Sequence, residues 1–170
     1  SDLLILNGGK FEAWGDKIKE NIKGKNVKLI VAGNMITNQD THIWLNPILA
    51  KQMVKNILNG FIKVNPNNQS YYQENAQKLE SQLNQLNNKY KQELNSCLKK
   101  EIITSHAAFG HLAKAYGLNQ VPIAGLSPEE EPSSKKMAEV ANFAKRHNVK
   151  YIFFESLVSP KLSETIAREV

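Results

Sequence analysis

The chain has 170 residues, 41% of them apolar, and a formal net charge of +6 carried mostly by lysines scattered among glutamates and asparagines. That length suffices for one ordinary domain or two small lobes. No run approaches the ~20 apolar residues of a membrane span, no basic start leads into a signal-like apolar stretch, and with no arginine cluster or aromatic interleaving the charge reads as solvated surface rather than a nucleic-acid stripe.

In chain order, "LLIL" (residues 3–6) followed by "NGG" reads as a short buried strand and a turn. Phe11, Trp14, Ile18 and Ile22 fall at helical spacing, which predicts a helix from Phe11 to about Ile22, with Glu12 as a cap at its start. "NVKLIVAG" is a second strand closed by Gly33, and "NMITNQDTHIW" is a loop. Asn46 is a good N-cap and Pro47 suits the first helical position, where its missing N–H would be unpaired anyway. The helix that follows carries a broad apolar stripe from Ile48 to Ile62.

A second Asn-Pro pair, Asn65-Pro66, opens a helix predicted from about Asn68 to Leu98, with a seam of Leu79, Leu83, Leu86, Tyr90, Leu94 and Cys97. It would be roughly 45 Å long, with Gln, Asn, Lys and Glu on its other faces and no Gly or Pro inside the seam. One apolar seam with wet flanks fits a rigid helix linking two lobes; a homodimeric coiled coil is the alternative, weakened by too few clean heptads. The α/β pattern then resumes: strand "EIIT", a turn and helix stopped by Gly117, strand "VPIAG", loop "LSPEEEPSS", a helix from about Ser134 to His147, strand "YIFFE", and a last helix after Ser159-Pro160. The pattern predicts an α/β fold of two lobes with mainly parallel sheets joined by one long rigid helix, residues 1–66 and 100–170 being parts of the lobes and 67–99 the link.

Ligands of open α/β sheets bind beyond the carboxyl ends of the strands. His42 follows the second strand, His106 follows "EIIT", and Glu155 ends "YIFFE", so these three share one topological address. His111 lies five residues past His106, about 140° round a helix, and His147 sits in a last helical turn where a cation is favourable; both read as structural or surface residues. Cys97 stands alone, with no CxxC motif. A Ser105-His106 nucleophilic dyad is disfavoured because neighbours at a strand end are expected to point in opposite directions, and there is no G-x-S-x-G elbow. No HExxH is present for a zinc hydrolase. Binding is better supported than turnover, so the chain reads as a non-enzyme.

"DTHIWLNP" with "TSHAAFGHLAKAYGL" and "IFFES", and "LILNGGKFEAW" near the start, together resemble the zinc/manganese-binding solute-binding proteins of ABC importers, the adhesin-like lipoproteins. The resemblance covers essentially the whole chain. It implies a monomeric periplasmic or cell-surface receptor with two α/β lobes, a long helix between them and a metal site in the cleft. It carries metal ligation to His42 and His106, with Glu155 as an acceptor behind an imidazole and Glu12 not a direct ligand. Histidine rather than glutamate at 106 implies Zn²⁺ over Mn²⁺, in keeping with the preference of imidazole for zinc and carboxylate for manganese.

The chain departs from the pattern in two ways. The histidine-rich loop of many zinc members is absent from "GNMITNQDT", and the remaining family ligands fall outside these 170 residues, as expected for an internal fragment. The partner implied is an importer permease, and the signal sequence lies elsewhere. A manganese receptor of the same family, or an adhesin whose histidines are incidental, are the alternatives.

Overall fold

A computed structural model describes residues 2–9, 11–34, 40–127, 129–155 and 159–170. The middle of the predicted loop before His42, residues 35–39, and Pro128 of "LSPEEEPSS" lie outside them. The chain divides into two compact units, Ser1–Tyr90 and Lys91–Val170. The α/β class with parallel sheets is found in both. Among the described residues no helix is long and apolar enough to cross a membrane.

In the first unit β1 (Leu3–Leu6) pairs in parallel with β2 (Lys28–Val31), Leu3 opposite Lys28 and Leu6 opposite Val31. Between them α1 spans only Gly15–Asn21. The helix therefore begins four residues later than the Phe11 periodicity predicts, and Phe11 and Trp14 are half exposed. Glu12 is not its cap. The start at Trp14 has no side-chain cap bond, while the Glu12 carboxylate accepts the backbone N–H of Asn7 at 2.5 Å and that of Gly8 at 3.1 Å. The tight turn after β1, with positive φ at Gly8 and Gly9, directs the successive N–H groups of Asn7 and Gly8 at the Glu12 carboxylate, a nest that holds the anion there.

A single 3₁₀ turn, Ile43–Leu45, leads into α2 (Pro47–Val64). Asn46 caps it as predicted, its side-chain oxygen accepting the Ile48 N–H at 2.9 Å with Pro47 in the first turn. α2 lies on the strands closely enough that Gly60 is buried and a Cβ there would overlap Ile30 of β2. After a 3₁₀ turn at Pro66–Asn68, α3 runs unbroken over 27 residues, Gln69–Asn95. Its half-buried stripe is Tyr72, Ala76, Glu80, Leu83, Asn87, Tyr90 and Leu94, rotated from the predicted seam. Leu79 and Leu86 are exposed at its margin, and Cys97 lies exposed beyond the helix. The polar members explain the shift: Glu80 and Asn87 occupy stripe positions that a hydrophobic pattern cannot register.

In the second unit β3 (Glu101–Thr104) is the middle strand, parallel to β4 (Asn119–Pro122) on one side and β5 (Ile152–Phe153) on the other. α4 (Gly110–Tyr116) stops at Gly117, whose φ of 68° is the left-handed stop its glycine predicts. α5 (Ser134–His147) is capped by Ser133, and α6 covers Lys161–Glu169. The expected cap from Ser159 reduces to a weak 3.4 Å bond from the Lys161 N–H, and Pro160 occupies the cap position. Ile103, Ile123, Val140, Ala144 and Ile166 form the core between sheet and helices. The predicted five-residue strand "YIFFE" shortens to two because β3 offers it partners only at Ile103 and Thr104. Glu155 is thereby released from the ladder just past the sheet.

Alanine in place of glycine within an exposed helix gains about 1 kcal/mol, but overlap in a packed interface costs about 1–3 kcal/mol. Gly60→Ala is expected to be net destabilising, by about 1 kcal/mol in urea denaturation of the full-length protein. A rise in the unfolding midpoint would contradict the packing of α2 on β2.

Candidate metal-binding residues

His42 lies beyond the carboxyl end of β2, at the entry to the 3₁₀ turn that leads into α2, and is 7% exposed. Its Nδ1 is 2.8 Å from Oδ1 of Asp40, and the same carboxylate oxygen accepts the His42 backbone N–H at 3.0 Å. One carboxylate two residues upstream therefore holds both the ring and the peptide of His42. Trp44 lies against the imidazole with ring centroids 5.4 Å apart, and Phe11 meets Trp44 edge-on at 5.1 Å. Trp44 thus packs between Phe11 and the imidazole while remaining 39% exposed.

His106 lies two residues past β3 and is 6% exposed. Its Nδ1 is 2.9 Å from Oε1 of Glu155, which also accepts the Ser105 hydroxyl at 2.6 Å. The expectation that Ser105 and His106 point in opposite directions is therefore wrong. By His106 the chain has left the strand for a turn, strand alternation no longer applies, and both side chains converge on one carboxylate oxygen. The convergence still gives no nucleophile–base pair, because the hydroxyl donates to the carboxylate rather than to the imidazole. The carbonyl of His106 accepts from the Thr104 hydroxyl at 2.7 Å and from the Gln120 amide at 3.1 Å, and Gln120 also donates to the Thr104 hydroxyl at 2.8 Å.

The two sites use one chemistry. An imidazole that donates Nδ1–H to a carboxylate keeps its lone pair on Nε2, is held in one tautomer and orientation, and becomes a more basic ligand. Among the described residues no three His, Cys, Asp or Glu side chains stand together as a group that could hold a metal ion; His42 and His106 each have a carboxylate at Nδ1. His111 is half-buried in α4. His147 is exposed in the last turn of α5, stacked on Phe143 at 4.1 Å and 3.7 Å from Glu101. Both lie within helices rather than just beyond a strand end. Asp40 and Gln120 carry much of this geometry and were missed in the sequence. The D-x-H spacing is the signal for Asp40, whereas Gln120 falls just outside the strand its hydrophobic neighbours predict.

The family model described as zinc-uptake complex component A, periplasmic, matches residues 1–170. This chain belongs to that family. It is 47% identical to the high-affinity zinc uptake system protein ZnuA of Bacillus subtilis (strain 168) over 131 residues, covering 77% of this chain and 41% of that protein. It is 37% identical to the zinc-binding protein AdcA of Streptococcus pyogenes over 199 aligned positions, covering 99% of this chain and 39% of the relative. Among solved structures, the laminin-binding protein Lmb of Streptococcus agalactiae, described as a bifunctional protein with adhesin and metal transporting activity, superposes with a TM-score of 0.91. It is 32% identical, over 99% of this chain and 66% of that one. The chain thus spans about two fifths of the length of the curated zinc-uptake relatives it matches.

Long-range ¹H–¹⁵N spectra of the metal-free protein, at a pH where the rings are neutral, should show His42 and His106 as Nδ1–H tautomers. The Nε2–H form at either ring would contradict the carboxylate pairing.

Proposed function

We propose that this chain belongs to an extracytoplasmic receptor that captures zinc and delivers it to the membrane permease of an ABC importer, without catalysing a reaction. His42 and His106 are zinc ligands in this reading, and Asp40 and Glu155 orient them. The observation that carries it is the repeated arrangement beyond two parallel strands: a buried imidazole whose Nδ1 sits 2.8 or 2.9 Å from a carboxylate oxygen. A histidine serving only the core has no need of a lone pair held at a set nitrogen, whereas a zinc ligand does. The names of the relatives, zinc uptake and zinc-binding proteins, point the same way. Imidazole donors favour zinc over manganese.

Laminin-binding Lmb, described as both adhesin and metal transporter, motivates the second reading, an adhesin whose histidines are incidental. Zinc titration of the full-length protein separates the two. In the receptor reading Asp40→Asn and Glu155→Gln each weaken zinc binding about ten- to hundredfold, and His42→Ala and His106→Ala weaken it further. Zinc affinity unchanged in both histidine variants would remove the assignment and leave the adhesin reading standing.

A further inference from the structure

Asn7 ends the turn side of β1 and has no part in the ligand set proposed above, yet it holds three separate pieces of the first unit together. Its backbone N–H donates to Glu12 at 2.5 Å, and its carbonyl accepts the Gly33 N–H, just past β2, at 2.9 Å. Its side-chain amide donates to the Thr41 carbonyl at 3.1 Å, and more weakly to the Gly8 carbonyl at 3.4 Å. The Thr41 carbonyl and the His42 N–H belong to one planar peptide unit. Asn7 therefore bonds one edge of that plane while Asp40 bonds the other at 3.0 Å.

The two bonds have different reach. Asp40 and His42 are two residues apart in one loop, so Asp40 sets the ring relative to that loop and would travel with it. Asn7 comes from the sheet, 34 residues away from Thr41 in sequence, and sets the loop relative to the sheet. Asn7 is itself fixed from both sides, by the Glu12 carboxylate on its N–H and by Gly33 on its carbonyl. A ligand has to be held within about 0.5 Å to bind metal well, and a loop anchored only to itself does not supply that.

We propose that Asn7 is a positioning residue for His42, registering the histidine loop on the sheet through the Thr41–His42 peptide, with Glu12 holding Asn7 in turn. The proposal rests on the reading of His42 as a zinc ligand. It is tested by a double-mutant cycle on the full-length protein, with zinc Kd measured by competition against a chromophoric chelator. Asn7→Leu keeps the size of the side chain and removes the amide. Asn7→Ser, whose hydroxyl is too short to reach Thr41, serves as the second variant if the first fails to fold.

Either variant is expected to raise the zinc Kd about tenfold in the otherwise unchanged protein, and to cause no further loss once His42→Ala is present. Unchanged affinity in the folded Asn7 variants would overturn the proposal. An equal loss with and without His42 would also overturn it, since Asn7 would then act on the unit as a whole. An unchanged Kd for His42→Ala alone would overturn the ligand assignment beneath it, and that result is read from the single variant independently of Asn7.

Discussion

Burying an imidazole at the end of a strand requires that its polar atoms find partners, and in both units one of those partners is a carboxylate at Nδ1. A buried polar atom left without such a bond costs about 1–3 kcal/mol, a sizeable fraction of the roughly 5–15 kcal/mol by which a domain is stable. The carboxylates do more than satisfy the rings. They choose the tautomer, fix the rotation about the ring axis and raise the electron density at the far nitrogen. Without Asp40 and Glu155 the rings would lose the bond that selects their tautomer.

The parallel sheets make this pairing possible. In a parallel sheet every strand ends on the same edge, so residues just past β3 and β5 become neighbours although His106 and Glu155 are 49 residues apart. The early end of β5 at Phe153 matters for that reason: two residues outside the ladder give Glu155 the freedom to reach both Ser105 and His106. In the first unit the geometry is more local. Asp40 reaches His42 from two residues upstream, and the 3₁₀ turn and the Asn46 cap determine where the chain enters α2. The Asn7 side-chain amide, donating to the Thr41 carbonyl, ties this loop to the sheet.

Features set by short-range chemistry were legible in the sequence. Asn46-Pro47 marked the start of α2, Gly117 the stop of α4, and the alternation of strands and helices the parallel α/β class. His42, His106 and Glu155 could be given a common topological address from strand ends alone. What escaped depended on pairings between distant residues. Glu12 was expected at a helix start because its neighbours have helical spacing, but the N–H groups of the turn after β1 compete for it. The length of β5 is decided by where β3 runs out, which no feature of "YIFFE" encodes. Strand alternation predicts opposite directions for Ser105 and His106, but β3 ends at Thr104 and both side chains turn to Glu155. Asn7 and Gln120 looked like turn and loop residues because a carboxamide shows its purpose only when the carbonyl it bonds is known.

Under the proposed function each imidazole meets zinc through Nε2 while Nδ1 stays with its carboxylate. The most direct measurement is a crystal structure of the zinc-loaded full-length protein with anomalous data collected at the zinc absorption edge. The expected result is zinc about 2.0–2.1 Å from an imidazole Nε2, with the Nδ1 of that ring still bonded to its carboxylate, Asp40 at His42 or Glu155 at His106. Zinc density remote from both rings, or bound through Nδ1 with the carboxylates displaced, would contradict it.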